Sequence, residues 1–164
     1  MDATFNIKPA NSFGFISELR RRNPLLFGLG VAHLVLFCLM LLISPFDQRT
    51  VMGINPWIKP MKFAISIAIY ALTMAWILGE LPVREEVKRR ISRILAGTLV
   101  IEIALITMQA ARGVTSHFNN TTVFDQVVFA TMGTAIVLNI AAAAYVAVQF
   151  WRSDIRIPAP YLWG

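Results

Sequence analysis

Glu102, His33 and Asn139 are polar side chains set inside long apolar stretches, and Gln109, Arg112 and His117 follow toward one end of the third stretch. A carboxylate and an imidazole held in a low dielectric shift each other's proton affinity strongly. A pair formed by Glu102 and His33 could therefore handle a proton or orient a ligand. Counting from the ends of the apolar stretches places His33, Glu102 and Asn139 at one depth, so His33 is the expected partner of Glu102. The other reading is a neutral hydrogen-bonded cluster that only fixes helix register. If His33 depends on Glu102, replacing Glu102 with leucine strands the imidazole at a cost of about 1–3 kcal/mol, whereas glutamine keeps the fold.

Gln109 lies seven residues after Glu102, about two turns further along the same face, and Arg112 comes one turn later. Together they make a polar stripe that points at the segment 113–126, GVTSHFNNTTVFDQ, which holds Ser116, His117, Asn119, Asn120 and Asp125. Asp47, Lys59 and Lys62 could stand beside it and complete a polar pocket. Several of these residues have plainer roles. Arg112 suits a helix C-terminus, Asp125 a capping box with Thr122, and Lys59 and Lys62 long side chains reaching for water. His117 and Gln109 have no such role and carry more of the functional reading.

The elements that must position these groups are membrane spans. The chain has 164 residues, 57% of them hydrophobic, with 15 basic and 9 acidic side chains, and a mean hydropathy of +0.63. No charge falls between Arg22 and Asp47, Lys62 and Glu80, or Asp125 and Arg152, and Glu102 alone interrupts Arg93 to Arg112. The fold class is therefore all-α: an integral membrane bundle of four transmembrane helices, with spans 25–43, 61–81, 91–111 and 127–150. What lies between them is too short for a separate soluble catalytic domain. An amphipathic segment, 1–24, precedes the spans as an interfacial anchor, and a tail, 151–164, follows them. The polar segments alternate sides and hold 11 basic residues against 4. Both termini are thus expected in the cytoplasm, with the protein in the inner membrane.

The sequence pI of 10.1 has its source in arginines next to span ends, where anionic lipid headgroups are nearer partners than nucleic acid. Glu85 with Arg89, and Glu86 with Arg90, stand four apart as helical ion pairs ahead of the third span. Arg112-Gly113 closes that helix with a cation and a left-handed glycine. Gly28 with Ala32, and the small residues of the last span, allow close helix approach. Four short helices enclose little volume, so a homo-oligomer or assembly with further membrane subunits is expected.

Cofactor motifs do not occur: there is no phosphate loop, no His-Glu-x-x-His and, with Cys38 alone, no cysteine pair. No cofactor is expected. A haem between two His33 residues of a dimer, or a bound pigment, is the cofactor alternative. Asn55-Pro-Trp-Ile-Lys-Pro-Met-Lys-Phe63 and Gln109-Ala-Ala-Arg-Gly-Val-Thr-Ser-His-Phe-Asn119 resemble segments in the N-terminal half of a group of bacterial polytopic membrane proteins of unknown activity. That resemblance implies further spans beyond Gly164 and no particular chemistry. The expected function is binding or conduction of a small polar or anionic solute through an outward-facing polar pocket. The site residues are Glu102, His33, Asn139, Gln109, Arg112 and His117. Two alternatives stand beside it: a membrane-embedded enzyme or redox protein with His117 as acid/base and Arg112 as electrostatic stabiliser, and a structural subunit of a larger complex.

Overall fold

A computed structural model describes residues 12–153; Lys8, Arg156 and the ending 157–164 lie outside them. Among the described residues the secondary structure is helical, with no strand: α1 Ser12–Arg22, α2 Pro24–Ile43, α3 Ile58–Glu80, α4 Glu85–Arg112 and α5 Val123–Arg152. The last four are long and apolar enough to cross a membrane. At 20, 23, 28 and 30 residues they measure about 30–45 Å, against about 30 Å of hydrocarbon.

Local chemistry sets the ends. Asn23 caps α2, its Oδ1 accepting from Leu26 N at 3.1 Å, and Pro24 takes the first helical position, where no N–H is needed. α4 ends as expected at Gly113, with φ +70°. Its N–H donates to Ala110 O at 2.9 Å, and Val114 N donates to Gln109 O at 3.1 Å. α5 starts at the Thr122 cap, whose hydroxyl accepts from Asp125 N at 3.1 Å.

α2 packs along α3, α3 against α4, and α4 along α5. The approach of α2 to α3 is close at Gly30, where an added Cβ would meet Leu72 Cγ at 2.8 Å. Gly28 has open space around it instead, so the small pair Gly28 and Ala32 is not used within the chain. Apolar side chains fill the interior at both ends, Leu26, Leu78 and Leu95 at one and Ile106, Val128 and Met132 at the other. On the outside, α2 and α5 expose Val35, Leu39, Leu42, Val137, Ile140 and Val148. An apolar surface of that extent is what a lipid environment covers.

The amphipathic segment is more than an anchor. Leu19 is buried with Leu78, Leu81 and Ile91, the rings of Phe15 and Trp76 lie 5.3 Å apart, and Arg22 stacks over Trp76. Arg22 also pairs with Glu18 at 2.7 Å and with Glu80. α1 is thereby fastened to the end of α3. At the other end the segment 44–57 is a folded loop. Asp47 holds Arg49 at 2.6 Å and accepts from the Trp57 indole at 2.8 Å, so Trp57 is tied inward. Arg49, through hydrogen bonds to Asp47, holds that carboxyl well below its ordinary range. Its Nη1 donates to Ala111 O at 2.9 Å, pinning the loop to the end of α4.

Candidate functional site

The six residues singled out above do not form one cluster. His33 and Glu102 do not pair. The imidazole Nδ1 lies 2.8 Å from Leu29 O one turn back, its Nε2 has no partner, and Glu102 Oε2 has none either. Equal depth is not proximity: α2 packs mainly on α3, whereas Glu102 is on α4. Asn139 is satisfied elsewhere too. Its amide donates to Thr98 Oγ1 at 2.8 Å and its Oδ1 accepts from the Tyr70 hydroxyl at 3.0 Å, which ties α3, α4 and α5 together in mid-bundle. This is the register-fixing role the sequence allowed, with partners that only packing could select.

Gln109 and Arg112 belong to a closed clamp. Gln109 is fully buried and donates to Asp125 Oδ1 at 2.9 Å. Arg112 Nη1 bonds both Gln109 Oε1 and Asp125 Oδ1, the latter at 2.6 Å, and Thr122 Oγ1 donates to Asp125 Oδ2 at 2.7 Å. The guanidinium also lies over Phe124, 4.8 Å from the ring centre. Asp125 binds Gln109, Arg112 and Thr122 together, so the expected polar stripe ends in a brace between α4 and α5. Asp125 is the centre of that brace as well as part of a helix cap.

What remains is a triad of Glu102, His117 and Lys59. The loop 113–122 folds back over the bundle end and turns His117 inward, between the rings of Phe63 at 6.0 Å and Phe129 at 6.2 Å. His117 Nε2 reaches within 3.8 Å of Glu102 Oε1. Its Nδ1 is 2.9 Å from Lys59 Nζ and 3.1 Å from Ser116 Oγ. An ammonium only donates, so Nδ1 is assigned as the acceptor and the ring proton sits on Nε2, facing the carboxylate. At 3.8 Å the Nε2–H and Glu102 are near neighbours without a hydrogen bond. Next to His117, Phe118 is held at φ +55° and stands 81% exposed. A bulky residue in that conformation stores strain beside the site.

The sequence offers Lys59 both as a pocket neighbour and as a side chain reaching for water; it does not reveal the contact with His117. The usable signal was its place within the first turn of a helix, between Ile58 and Pro60, where it cannot follow the chain away from the bundle.

Lys59, Ser116 and His117 open into a cleft of about 390 Å³. Its walls are otherwise mostly apolar, Pro56, Pro60, Phe63, Ile106 and Phe118 among them. This corrects the expectation of a polar pocket: loops can offer backbone and polar groups to each other, leaving carbon to face the space. A second groove of about 550 Å³ lies between α3 and α5, with Tyr70, Asn139 and Glu102 among its lining. Glu102, 6% exposed, thus lines this groove and lies behind His117, and one of its oxygens is unpartnered.

Burial, and secondarily the charge of Lys59, pushes the His117 imidazole below its usual value of 6.5. His117 is then neutral in the folded protein near neutral pH. Because the folded-state value is the depressed one, this stabilising contribution is present above about pH 6.5 and is lost as pH falls through the lower folded-state value. Unfolding midpoints followed from pH 7.5 to 4.5 should fall on that limb, and His117→Gln should flatten it. An unchanged slope in the variant would assign the acid sensitivity to other groups.

The chain matches no protein-family model, no curated protein and no solved structure.

Proposed function

We propose that the chain is an integral protein of the bacterial inner membrane, with both termini cytoplasmic, that binds or conducts a small anionic solute at the cleft on its outer side. The observation that carries this reading is Glu102: a carboxylate 6% exposed, with a free oxygen, that meets the cleft through His117 and Lys59. Buried carboxylates without partners are costly, and at membrane depth they mark function more often than structure. The orientation follows the basic count of 11 against 4.

The cleft suits a small organic anion with an apolar body. Lys59, with Ser116 beside it, supplies the donors for a carboxylate, and Phe63, Pro60 and Phe118 enclose carbon. An anion reaching Lys59 takes the ammonium away from His117 Nδ1. The freed imidazole nitrogen then gains proton affinity, so binding and protonation rise together. Glu102 is the base placed to share that proton with the bundle interior.

The enzyme reading that paired His117 with Arg112 loses its stabiliser, because Arg112 is engaged by Asp125 and Gln109 and does not line the cleft. Exposed small residues on α5, such as Ala130, Thr134, Ala141 and Ala144, support assembly with further copies or other membrane subunits.

Titrating the detergent-purified protein with benzoate, benzyl alcohol and benzylamine tests the anion reading. Benzoate should raise the unfolding temperature, and Lys59→Gln should weaken its binding about tenfold or more, the value of about 1.5–3 kcal/mol for a charged hydrogen bond. Equal shifts from the alcohol or the amine would remove the anion site.

A further inference from the structure

A second pocket lies at the opposite end of the bundle, where the junction of α1 and α2 meets the start of α4, and its volume is about 420 Å³. Arg21, Arg22, Lys88, Arg89 and Arg93 line it, with Glu85 as the acid among them. Most of these cations are already engaged. Arg21 and Arg22 hold Glu18 at 2.7 Å each, Arg22 also holds Glu80, and Lys88 holds Glu85 at 2.9 Å. The sequence pairs Glu85 with Arg89, but in the structure Glu85 takes Lys88, three residues on, and Arg89 is left over. Five cations against three carboxylates leave an excess of two. Among the described residues, Arg89 and Arg93 are the lining cations without a hydrogen bond or ion pair, and they stand one turn apart on one face of α4.

Beneath the charges the pocket has a packed base. Asn23 and Ser92, 7% and 3% exposed, bond each other at 2.7 Å and fix α2 to α4. Leu78 closes the floor, and Leu25, half exposed, begins the apolar face of α2. The charges thus sit at the helix ends and the carbon begins where the apolar spans begin. A free anion would use only the first half of this surface, whereas an amphiphile uses both.

We propose that this pocket binds the phosphodiester headgroup of an anionic phospholipid, with Arg89 and Arg93 taking the phosphate oxygens and the exposed Leu25 meeting the adjoining acyl carbons. The guanidinium fork is suited to phosphate oxygens, and Arg22 and Lys88, pinned by Glu18, Glu80 and Glu85, hold the rim in place around it. The proposal shares the membrane reading above and is independent of the cleft around Lys59.

The test uses the full chain in a non-ionic detergent, titrated with dihexanoylphosphatidylglycerol, dihexanoylphosphatidylcholine or inorganic phosphate, and reads the unfolding temperature. The glycerol lipid should raise it. Arg89→Gln/Arg93→Gln should weaken that response at least tenfold in apparent affinity, while Arg20→Gln/Arg90→Gln, which removes equal charge outside the pocket, should change it less than twofold. Neither Arg89 nor Arg93 has a partner in the described chain, so the first variant keeps the fold. Equal weakening in both variants would mean a diffuse field and no site. An equal response to the choline lipid would remove the anion preference, and an equal response to inorganic phosphate would make this a free-phosphate site and overturn the lipid assignment. Loss of benzoate binding at the cleft leaves these outcomes unaffected, so the two readings fail separately.

Discussion

Truncating Asp125 to alanine should cost about 2–4 kcal/mol of folding stability, the largest loss expected from any single polar substitution in the bundle. The carboxylate is 2% exposed and accepts from Gln109, Arg112 and Thr122. Without it the fully buried Gln109 amide loses its acceptor and Arg112 is left as an uncompensated charge. Arg112 is 38% exposed on its side chain, which allows water to recover part of that loss and sets the figure below that of a fully buried pair. Asp125→Asn keeps an acceptor for Gln109 and should lose about 1 kcal/mol, the value of a charge-assisted bond over a neutral one. Unfolding titrations in mixed micelles measure both. The alanine variant should also speed amide exchange through the loop 113–122, since the brace holds the two helix ends that frame it. A loss under about 0.5 kcal/mol would show that the cluster contributes geometry without stability.

Replacing Glu102 should have the opposite sign. Sequence reasoning expects leucine at this position to strand His33, but His33 bonds Leu29 O and owes nothing to Glu102. The carboxylate itself is the group left short, with Oε2 unpartnered. Glu102→Leu should therefore stabilise the fold by about 1–3 kcal/mol, the cost of an unsatisfied buried polar group, while removing the proton acceptor beside His117. Glu102→Gln, which fills the same space and cannot take up the proton, should leave stability within about 1 kcal/mol. In both variants the pH dependence of benzoate binding between pH 5 and 8 should weaken to the part that His117 supplies alone. For Glu102→Leu, gained stability with a weakened response is the mark of a group retained for function. If Glu102→Leu is destabilised, or the pH dependence is unchanged, Glu102 is a structural group and the proposed proton coupling ends at His117.

The sequence by itself determined the number and type of elements. Three stretches without charge and a fourth broken only by Glu102 mark long apolar helices in a chain this apolar, and the helix ends at Asn23, Gly113 and Thr122 follow from side-chain chemistry acting within a few residues. Those signals are local, so no partner helix is needed to read them. The same locality explains why Arg112 and Asp125 were legible as helix-end residues but not as partners of each other. Depth along a helix can also be counted from sequence, and it placed Glu102 among the residues that matter.

Depth does not fix direction around the axis. A helix rotates 100° per residue, and which face meets which neighbour depends on the packing of the whole bundle. That rotation sent His33 to its own backbone, Asn139 to Thr98 and Tyr70, and Gln109 into the clamp, leaving Glu102 to meet His117. Loop conformation is likewise a tertiary outcome: Arg49 reaching Ala111 O and Phe118 in a left-handed conformation belong to loops folded against the bundle end. The contact of Lys59 with His117 joins residues 58 positions apart, and only packing of the loop 113–122 against the start of α3 brings them together. The long apolar helices were decided by hydrophobicity, which each segment possesses alone, whereas the site was decided by orientation, which no segment possesses until the others are in place.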